Sequence, residues 1–261
     1  MFYGIVREGK GFLMNEMIYD KEIKSRIVNY WTQRSGDFAR QRHSELHSYM
    51  ADLWLREIMR YLPQDKEHCR ILDIGTGTGF FPLLLAKEGY KIEGIDLTRS
   101  MIDEANSLAL SEGSEAVFKV MDAENLDYAD ETFDIVLTRN LTWTLPDPRK
   151  AYTEWQRVLK KGGTLLNFDA DYGKEHLVEE AKLLPEQHAH NKLGTDTLCE
   201  CDAIKAELDI SRTDRPIWDM KQLIDLGFAK VGADMQAGSR IYWKHDEFYN
   251  PMPVFLLTAE K

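Results

Sequence analysis

Short apolar runs alternate with stretches of helical apolar spacing along the middle of this 261-residue chain. Strands that are covered on both faces show as continuous apolar runs, whereas helices show apolar residues three or four positions apart. Five runs predict strands, at residues 70–74, 91–96, 116–121, 130–138 and 164–169. The first run leads through a glycine-rich turn into a helix that begins near Phe80. Strand, glycine turn and helix form the layout of a nucleotide-binding site.

Two helices are predicted before the first strand. Apolar residues recur at helical spacing over residues 19–34 and again over residues 44–62, and Pro63 ends the second helix. Between them, the segment Ser35-Gly-Asp-Phe38 predicts a break. For residues 1–17 we expect a short extension that packs on the body of the protein or on a second subunit.

The glycine-rich turn reads Asp73-Ile-Gly75-Thr76-Gly77-Thr-Gly79. Glycines let a backbone approach a ligand where a Cβ would block it, and a helix N-terminus adds free N–H groups and partial positive charge. The dinucleotide fingerprint G-x-G-x-x-G spaces its last two glycines differently. This segment resembles motif I of the class I S-adenosylmethionine (SAM)-dependent methyltransferases. The resemblance implies that the amino-acid end of SAM is held by Asp73, Gly75, Thr76, Gly77 and Gly79.

The second strand ends in Asp96, followed by Leu97 and by Met101 on the next helix. A carboxylate at this position can accept hydrogen bonds from both ribose hydroxyls, as it does in nucleotide-binding folds. The segment resembles motif II of the same family, which implies that these residues contact the cofactor. The alternative is a solvated acid at a strand end.

The third strand ends in Asp122-Ala123-Glu124, which resembles the family's adenine-binding turn. In the family, the Asp side chain accepts a hydrogen bond from the adenine amino group, and the next backbone N–H meets a ring nitrogen. The alternative is a polar turn whose Asp caps a helix, because Asp is a good capping residue.

The fourth strand leads into a loop that contains Arg139, Asn140 and Trp143. A loop at the carboxyl end of a central strand faces the ligand in open α/β sheets, so we expect this one near the transferred methyl group, with Arg139 and Asn140 among the cofactor contacts. The Asn-Pro-Pro-Tyr form that the family uses on nucleobase and glutamine amides is absent here. Trp143 is either a stacking partner for the sulfonium or acceptor, or a buried aromatic under the loop.

The segment that contains Trp31, Arg34 and Phe38 resembles the N-terminal lid over the SAM pocket of many small-molecule methyltransferases. The family often has Tyr at the last of these positions. The alternative is an amphipathic helix pair whose aromatic residues simply form core.

The resemblance implies a doubly wound, Rossmann-like α/β fold with a seven-stranded, mostly parallel sheet whose last strand is antiparallel. Runs at residues 228–235 and 253–259 fit the last two strands. We expect an N-terminal extension and helical lid over residues 1–62 and a SAM-binding core over residues 63–261. Within the core, residues 170–226 would form a helical insertion that covers the substrate.

The sequence does not identify the catalytic residues, because the methyl group of SAM is already activated and a base is needed only if the acceptor must lose a proton. The weak candidates are His43, Trp143 and Asp171. His43, together with His47 one helical turn later, is a weak candidate for such a base. Exposed helix-face histidines are the alternative. Asp171 and Asp169 could bind a cation or take a proton, or they could cap the next helix.

Two histidines and two cysteines, at positions 188, 190, 199 and 201, lie in the insertion. These side chains are donors for zinc or arsenic, but their spacing is not that of a zinc finger. A polar loop with two ordinary thiols is the simpler interpretation, and no metal is expected.

The formal net charge of −11 opposes nonspecific binding to nucleic acid or to an anionic membrane, because phosphate contacts need an excess of Lys and Arg. Three cysteines indicate no disulfide framework, no apolar run approaches the roughly 18 residues that span a bilayer, and the N-terminus does not resemble a signal peptide. We therefore expect a cytoplasmic monomer or homodimer with a small-molecule acceptor.

The sequence thus predicts a methyltransferase that uses SAM, releases S-adenosylhomocysteine (SAH) and methylates a small molecule by in-line displacement. A SAM-binding protein without methyl transfer, acting as a sensor or partner subunit, is the first alternative. A nicotinamide-dependent oxidoreductase on a similar sheet is the second, although the glycine spacing and the Asp122-Ala123 turn favour SAM.

Overall fold

The computed structural model describes residues 5–174, 176–180, 184–185 and 193–261. For residues 5–18, 178 and 180 only the backbone is described. His188 and His190 therefore lie outside the described residues, together with any contact they make.

A mixed sheet of seven strands forms the centre of the described chain, in the order β3-β2-β1-β4-β5-β7-β6. The strands are β1 Arg70–Ile74, β2 Lys91–Asp96, β3 Val117–Val120, β4 Phe133–Arg139, β5 Leu159–Asp169, β6 Lys230–Asp234 and β7 Phe255–Glu260. The pairs among β1 to β5 are parallel, and β7 runs antiparallel to both β5 and β6. The predicted Rossmann-like fold with an antiparallel last strand is confirmed.

Nine α-helices accompany the sheet in the part of the chain that the structure describes. They are α1 Ile5–Leu46, α2 Tyr49–Ile58, α3 Phe80–Lys87, α4 Arg99–Glu112, α5 Pro148–Val158, α6 Leu177–Glu180, α7 Thr195–Glu207, α8 Ile217–Asp225 and α9 Ala237–Ile241. None of the helices described is long and apolar enough to cross a membrane.

The two faces of the sheet carry separate apolar layers, because neighbouring strand residues point to opposite faces. On β1, Ile71 packs in the layer of α2, α3 and α4, whereas Leu72 packs in the layer of α5 and α8. A third apolar cluster lies away from the sheet, where Ile23 and Ile27 of α1 pack near Leu198 and Ile204 of α7. This third cluster joins the N-terminal helix to the insertion.

The predicted break at residues 35–38 is wrong, because α1 continues through Gly36 to Leu46. A glycine inside a helix costs about 1 kcal/mol, and packing outweighs that cost here, since Arg34, Ser35 and Ala39 around it are all buried. The true break follows Leu46, and the Ser48 side chain then accepts a hydrogen bond from the backbone of α2. Helix α2 ends at Ile58, before Pro63.

The insertion and the neighbouring strand have bounds that the sequence does not predict. The insertion, for which the sequence predicts helical structure, contains α7 from Thr195 and α8 from Ile217. Strand β5 begins at Leu159, directly after α5, rather than at residue 164, so that Gly162 and Gly163 lie inside the strand. The Gly162 amide donates to the carbonyl of Lys261 at 2.7 Å, which makes this stretch part of the sheet.

Candidate active site

A cavity opens at the carboxyl ends of β1, β2 and β4, where open α/β sheets bind ligands. Its walls combine α1, the glycine loop, the loops after β2, β3 and β4, the insertion, and the chain before β7. Residues that line it include Lys24, Tyr30, Trp31, Arg34, Phe38, Arg42, Glu45, Asp73, Gly75, Thr76, Gly77, Phe81, Asp96, Leu97, Met101, Asp122, Ala123, Arg139, Asn140, Trp143, Tyr172, Cys201, Lys205, Tyr242, Phe248 and Asn250. Most of the residues predicted from motifs therefore face one cavity.

The glycine loop has a left-handed backbone at each of its three glycines. A Cβ on Gly77 would lie 3.0 Å from the ring of Phe38, so this glycine lets the lid helix pack directly on the loop. Gly79 caps the N-terminus of α3 at φ 87°, and a Cβ there would meet Phe118 at 2.7 Å. Gly79 is not part of the cavity lining, and its role is to shape the backbone.

Asp96 connects the end of β2 to the glycine loop. One of its carboxylate oxygens accepts from the Gly77 amide at 3.0 Å, and the other accepts from the Thr98 amide at 2.8 Å. Burial raises the pKa of Asp96. Each oxygen keeps a second lone pair, so the carboxylate can still accept two hydrogen bonds from a ligand.

Asp73 lies beneath the same loop and is 2% exposed. Its carboxylate accepts a hydrogen bond from the Thr76 hydroxyl at 2.6 Å. Burial raises the pKa of Asp73 to about 7, and the nearby charge of Asp96 acts in the same direction. The cavity thus has a carboxyl group that gains or loses its proton near neutral pH.

The turn after β3 is held by Lys24 of α1, a residue that the motifs did not reveal. The Lys24 ammonium lies 2.8 Å from the Asp122 carboxylate and 2.6 Å from that of Glu124. Although burial would lower it, these hydrogen bonds raise the pKa of Lys24. Glu124 is 1% exposed, lies outside the lining and also accepts from the Asp147 amide at 2.8 Å. Its role is therefore to hold the turn.

The middle of α1 places an arginine among aromatic rings. The guanidinium of Arg34 lies 5.6 Å from the ring of Tyr30 and 5.4 Å from that of Trp31, and it donates to the Tyr30 hydroxyl at 2.9 Å. The rings of Trp31 and Phe38 meet edge to face at 5.6 Å. Arg34 is buried, and its Nε has no hydrogen-bond partner among the described residues.

A second polar cluster faces the cavity from the end of β4. Glu45 of α1 accepts from Arg139 at 2.8 Å and from the Trp54 indole at 2.9 Å, and its other oxygen pairs with Arg42. Arg139 also donates to the Tyr242 hydroxyl at 2.8 Å and lies 4.1 Å above the Trp54 ring. Burial opposes ionisation of Glu45, but the charges of Arg139 and Arg42 hold its pKa below the usual value. We name Arg42, Glu45 and Arg139 the arginine cluster.

The loop after β4 is ordered by hydrogen bonds around Asn140, which has a left-handed backbone at φ 55°. The indole of Trp143 donates to the Asn140 carbonyl at 2.9 Å, and the Tyr172 hydroxyl donates to the Asn140 side-chain oxygen at 3.1 Å. Trp143 and Tyr172 pack with ring centres 5.2 Å apart. Trp143 therefore lines the cavity as a fixed aromatic wall.

Two of the weak catalytic candidates do not line the cavity. His43 is exposed and lies with His47 beside Glu112, where Lys87 also pairs with the Glu112 carboxylate at 2.7 Å. Asp171 forms an ion pair with a lysine one turn later in the chain. Cys201 does line the cavity, but the exposed Cys199 does not.

Asp169, the neighbouring candidate, is fully buried in an ion network. Arg215 donates to Asp169 at 3.0 Å and to both carboxylate oxygens of Asp219. Asp169 also accepts from the Trp143 amide at 3.2 Å, and Tyr152 donates to Asp219 at 2.7 Å. The network joins the insertion to the end of β5, and it holds the loop that carries Trp143.

A family model described as a methyltransferase domain matches residues 72–167. These residues hold all of β2, β3 and β4, β1 without its first two residues and β5 without its last two, and they contain the glycine loop, Asp96 and the turn after β3. Residues 72–167 therefore form a methyltransferase domain. The family resemblance seen in the sequence is thereby confirmed, and SAM is the cofactor of that family.

Relatives of the methyltransferase domain support this assignment. The phosphatidylethanolamine N-methyltransferase of Cereibacter sphaeroides is 36% identical over 117 residues, which cover 43% of this chain and 57% of that protein. An uncharacterised methyltransferase of Bacillus subtilis is 36% identical over 115 residues, covering 44% of this chain and 45% of the relative. The chain thus spans about half the length of these relatives.

Solved structures show the same fold. Phosphoethanolamine N-methyltransferase 2 of Haemonchus contortus, crystallised with SAM, has a TM-score of 0.56 at 18% identity, covering 79% of this chain and 51% of that one. A SAM-dependent methyltransferase of Aquifex aeolicus has a TM-score of 0.52 at 18% identity, covering 78% and 87%. At this identity the likeness extends to the fold and not to the substrate.

Proposed function

We propose that this protein transfers a methyl group from SAM to a small-molecule acceptor. The observation that carries the proposal is the order of groups along one cavity wall. The glycine loop, the Asp96 carboxylate and the Asp122-Ala123 turn follow one another at the ends of β1, β2 and β3. This order matches the amino-acid, ribose and adenine parts of one extended cofactor.

The residues present fit that cofactor. Asp96 keeps free lone pairs for ribose hydroxyls, and the left-handed glycine loop exposes backbone beside it. Met121 and Met101 add apolar lining near the proposed adenine site. The cofactor contacts proposed are Trp31, Arg34, Phe38, Asp73, Gly75, Thr76, Gly77, Asp96, Leu97, Met101, Asp122, Ala123 and Asn140, with Gly79 and Glu124 supporting them from outside the lining.

When bound, SAM would supply an electrophilic methyl group on a positively charged sulfur. The chain's own contribution is to align the acceptor with that methyl group and to exclude water. Trp143, Tyr172 and Tyr242 form an aromatic wall for this purpose. Burial raises the pKa of both Tyr172 and Tyr242, so their hydroxyls stay protonated at neutral pH and position ligands as hydrogen-bond partners.

We propose that residues 1–62 act as a lid and that residues 170–226 cover the substrate. Two observations support this division. The apolar cluster between α1 and α7 lies away from the sheet, and Tyr172, Cys201 and Lys205 of the insertion line the cavity together with α1. The relatives named for phosphatidylethanolamine and ubiquinone biosynthesis support a small-molecule acceptor.

Calorimetric titration with SAM, SAH and NAD tests the cofactor. We expect micromolar affinity for SAM and SAH and none for NAD; binding of NAD alone would refute the assignment. Methyl transfer is then tested by incubating the protein with methyl-labelled SAM and a small-molecule extract. Labelled product with matching release of SAH supports an enzyme, whereas tight SAM binding without turnover supports a sensor or partner subunit.

A further inference from the structure

The arginine cluster carries more positive than negative charge. Two guanidinium groups, of Arg42 and Arg139, share the single carboxylate of Glu45. Glu45 is 1% exposed, and the side chains of Arg42 and Arg139 are 14% and 10% exposed. A buried excess of one positive charge is costly, because low-dielectric surroundings penalise an unpaired charge.

The guanidinium of Arg139 has hydrogen-bonding capacity that the described part of the chain does not use. Arg139 uses Nη2 for both Glu45 and Tyr242, while its Nε and Nη1 have no partner in the described part of the chain. Burial, and next the charge of Arg139, lower the pKa of Arg42. The two cations therefore repel each other across Glu45, and an additional anion would relieve that repulsion.

The three acidic groups of the cavity wall outside the cluster belong to the cofactor elements, although Asp73 lies close enough to Arg139 for that positive charge to act on the Asp73 pKa. Asp122 is paired with Lys24, and Asp73 and Asp96 belong to the glycine loop and the end of β2. The cluster instead sits at the end of β4, beside the aromatic rings of Phe81 and Tyr242. This is the side on which the acceptor would enter.

We propose that the arginine cluster binds a carboxylate on the methyl acceptor, which would then be an aromatic or otherwise apolar monoanion. The inference rests on the proposed function and names the substrate class of that site. Guanidinium groups match carboxylates through paired hydrogen bonds. The single excess positive charge of the cluster would be neutralised by one negative charge on the acceptor. The aromatic wall would pack against an apolar part of the same molecule.

Matched ligand pairs test the proposal on the full-length protein. Benzoate, phenylacetate and hexanoate are each titrated by calorimetry against the corresponding amide, with the protein saturated by SAH. We expect at least one carboxylate to bind tenfold or more tightly than its amide. Phenyl phosphate serves as a dianion, and its binding more tightly than every carboxylate would overturn the single-charge argument.

Variants of the arginine cluster test whether it causes the preference for a carboxylate over the corresponding amide. Arg42→Gln leaves one cation with one carboxylate, and we expect it to reduce the carboxylate preference to less than threefold. Arg42→Lys keeps the charge and should keep most of the preference. Arg40→Gln is the matched control, because Arg40 lies on the same helix, is 75% exposed and pairs only with Asp37 among the described residues.

Three results would overturn the inference: equal binding of carboxylate and amide in every pair, an unchanged preference in Arg42→Gln that folds normally by circular dichroism, or an equal loss of SAH affinity in that variant. The last result would assign the cluster to the cofactor's own carboxylate. If SAH does not bind the wild-type protein, the proposed function fails, and the ligand pairs without SAH still decide whether the cluster selects anions.

Discussion

SAM binding should release a proton from Asp73. The side chain is 2% exposed, lies in the cavity wall, and burial raises its pKa to about 7 in the free protein. The cofactor brings positive charge to this wall, and positive charge favours the ionised carboxylate. At neutral pH about half of the free protein must therefore lose the Asp73 proton before it binds.

The size of the effect follows from the pKa. With a pKa of about 7, the ionised fraction of Asp73 rises roughly tenfold between about pH 6 and pH 8. The dissociation constant for SAM should fall by about the same factor over that range, which corresponds to roughly 1.4 kcal/mol. Above the pKa the affinity should level off, because the carboxylate is already ionised.

Calorimetry in two buffers of different ionisation enthalpy measures the protons released, and we expect about half a proton per SAM near pH 7. Asp73→Asn is the control: its amide can still accept from the Thr76 hydroxyl but cannot titrate. Protons that SAM itself releases or takes up are the same for the wild type and for Asp73→Asn, so they cancel when the two values of proton release are subtracted. Equal proton release by wild type and variant, or proton uptake, would refute the reasoning.

Other expected outcomes concern the cofactor site and the fold. Asp96→Asn should weaken SAM binding about tenfold to a hundredfold by calorimetry, because hydrogen bonds to a charged acceptor contribute roughly 1.5–3 kcal/mol; unchanged affinity would remove Asp96 from the site. Gly77→Ala should lower both stability and SAM affinity, since an L-residue in the left-handed region costs about 1–2 kcal/mol. Gly113→Ala is its control, because φ is 61° there and a Cβ would meet nothing within 4 Å; stability alone should fall, and an equal loss of SAM affinity would contradict the local explanation. Arg215→Met should lower the urea unfolding free energy by about 3–5 kcal/mol, because two buried carboxylates lose their cation; a loss below about 1 kcal/mol would show that the network is not stabilising. Finally, the contribution of Asp73 to the unfolding free energy should fall as pH rises from about 4 to about 7, because folded Asp73 keeps its proton above the ordinary carboxyl pKa; the unfolding free energy of the wild type minus that of Asp73→Asn should therefore fall over this range, and a constant difference would contradict the reasoning.

The sheet and the cofactor motifs could be predicted because their signals are local. Each unit of strand, turn and helix places its polar residues within a few positions of a strand end, as Asp73 and Asp96 show. Glycines in the left-handed region mark the turn in the same way. The sequence predicts that the loop glycines allow a ligand to approach the backbone. In the structure, Gly77 and Gly79 also make room for the rings of Phe38 and Phe118.

The partners of α1 could not be predicted, because they come from distant parts of the chain. Lys24 pairs with Asp122, 98 residues away, and Glu45 pairs with Arg139, 94 residues away. No spacing rule connects such residues before the helix is docked on the sheet. The outward position of His43 depends on the same docking, since α1 packs against α4 at that level.

Helix α1 contacts three parts of the proposed site. Lys24 reaches the adenine turn, Phe38 packs on the glycine loop, and Glu45 holds the arginine cluster. These residues span 21 positions of one helix, or about 30 Å at 1.5 Å per residue. Because one rigid element touches the cofactor and acceptor sides together, a displacement of α1 that admits SAM must also disturb the cluster.

The two ends of this helix are held differently. Leu46 packs in the layer of α2 and α3 against the sheet, whereas Ile23 and Ile27 pack in the separate cluster with α7. The N-terminal half of α1 and the insertion therefore share one apolar core over the cavity, which is joined to the sheet side by the Lys24 ion pairs and by the Arg215 network. Solvent-accessible ion pairs contribute less to the free energy of folding than a continuous apolar core does, because water hydrates the separated charges. Under the proposed lid role, the N-terminal half of α1 and the insertion would therefore move together.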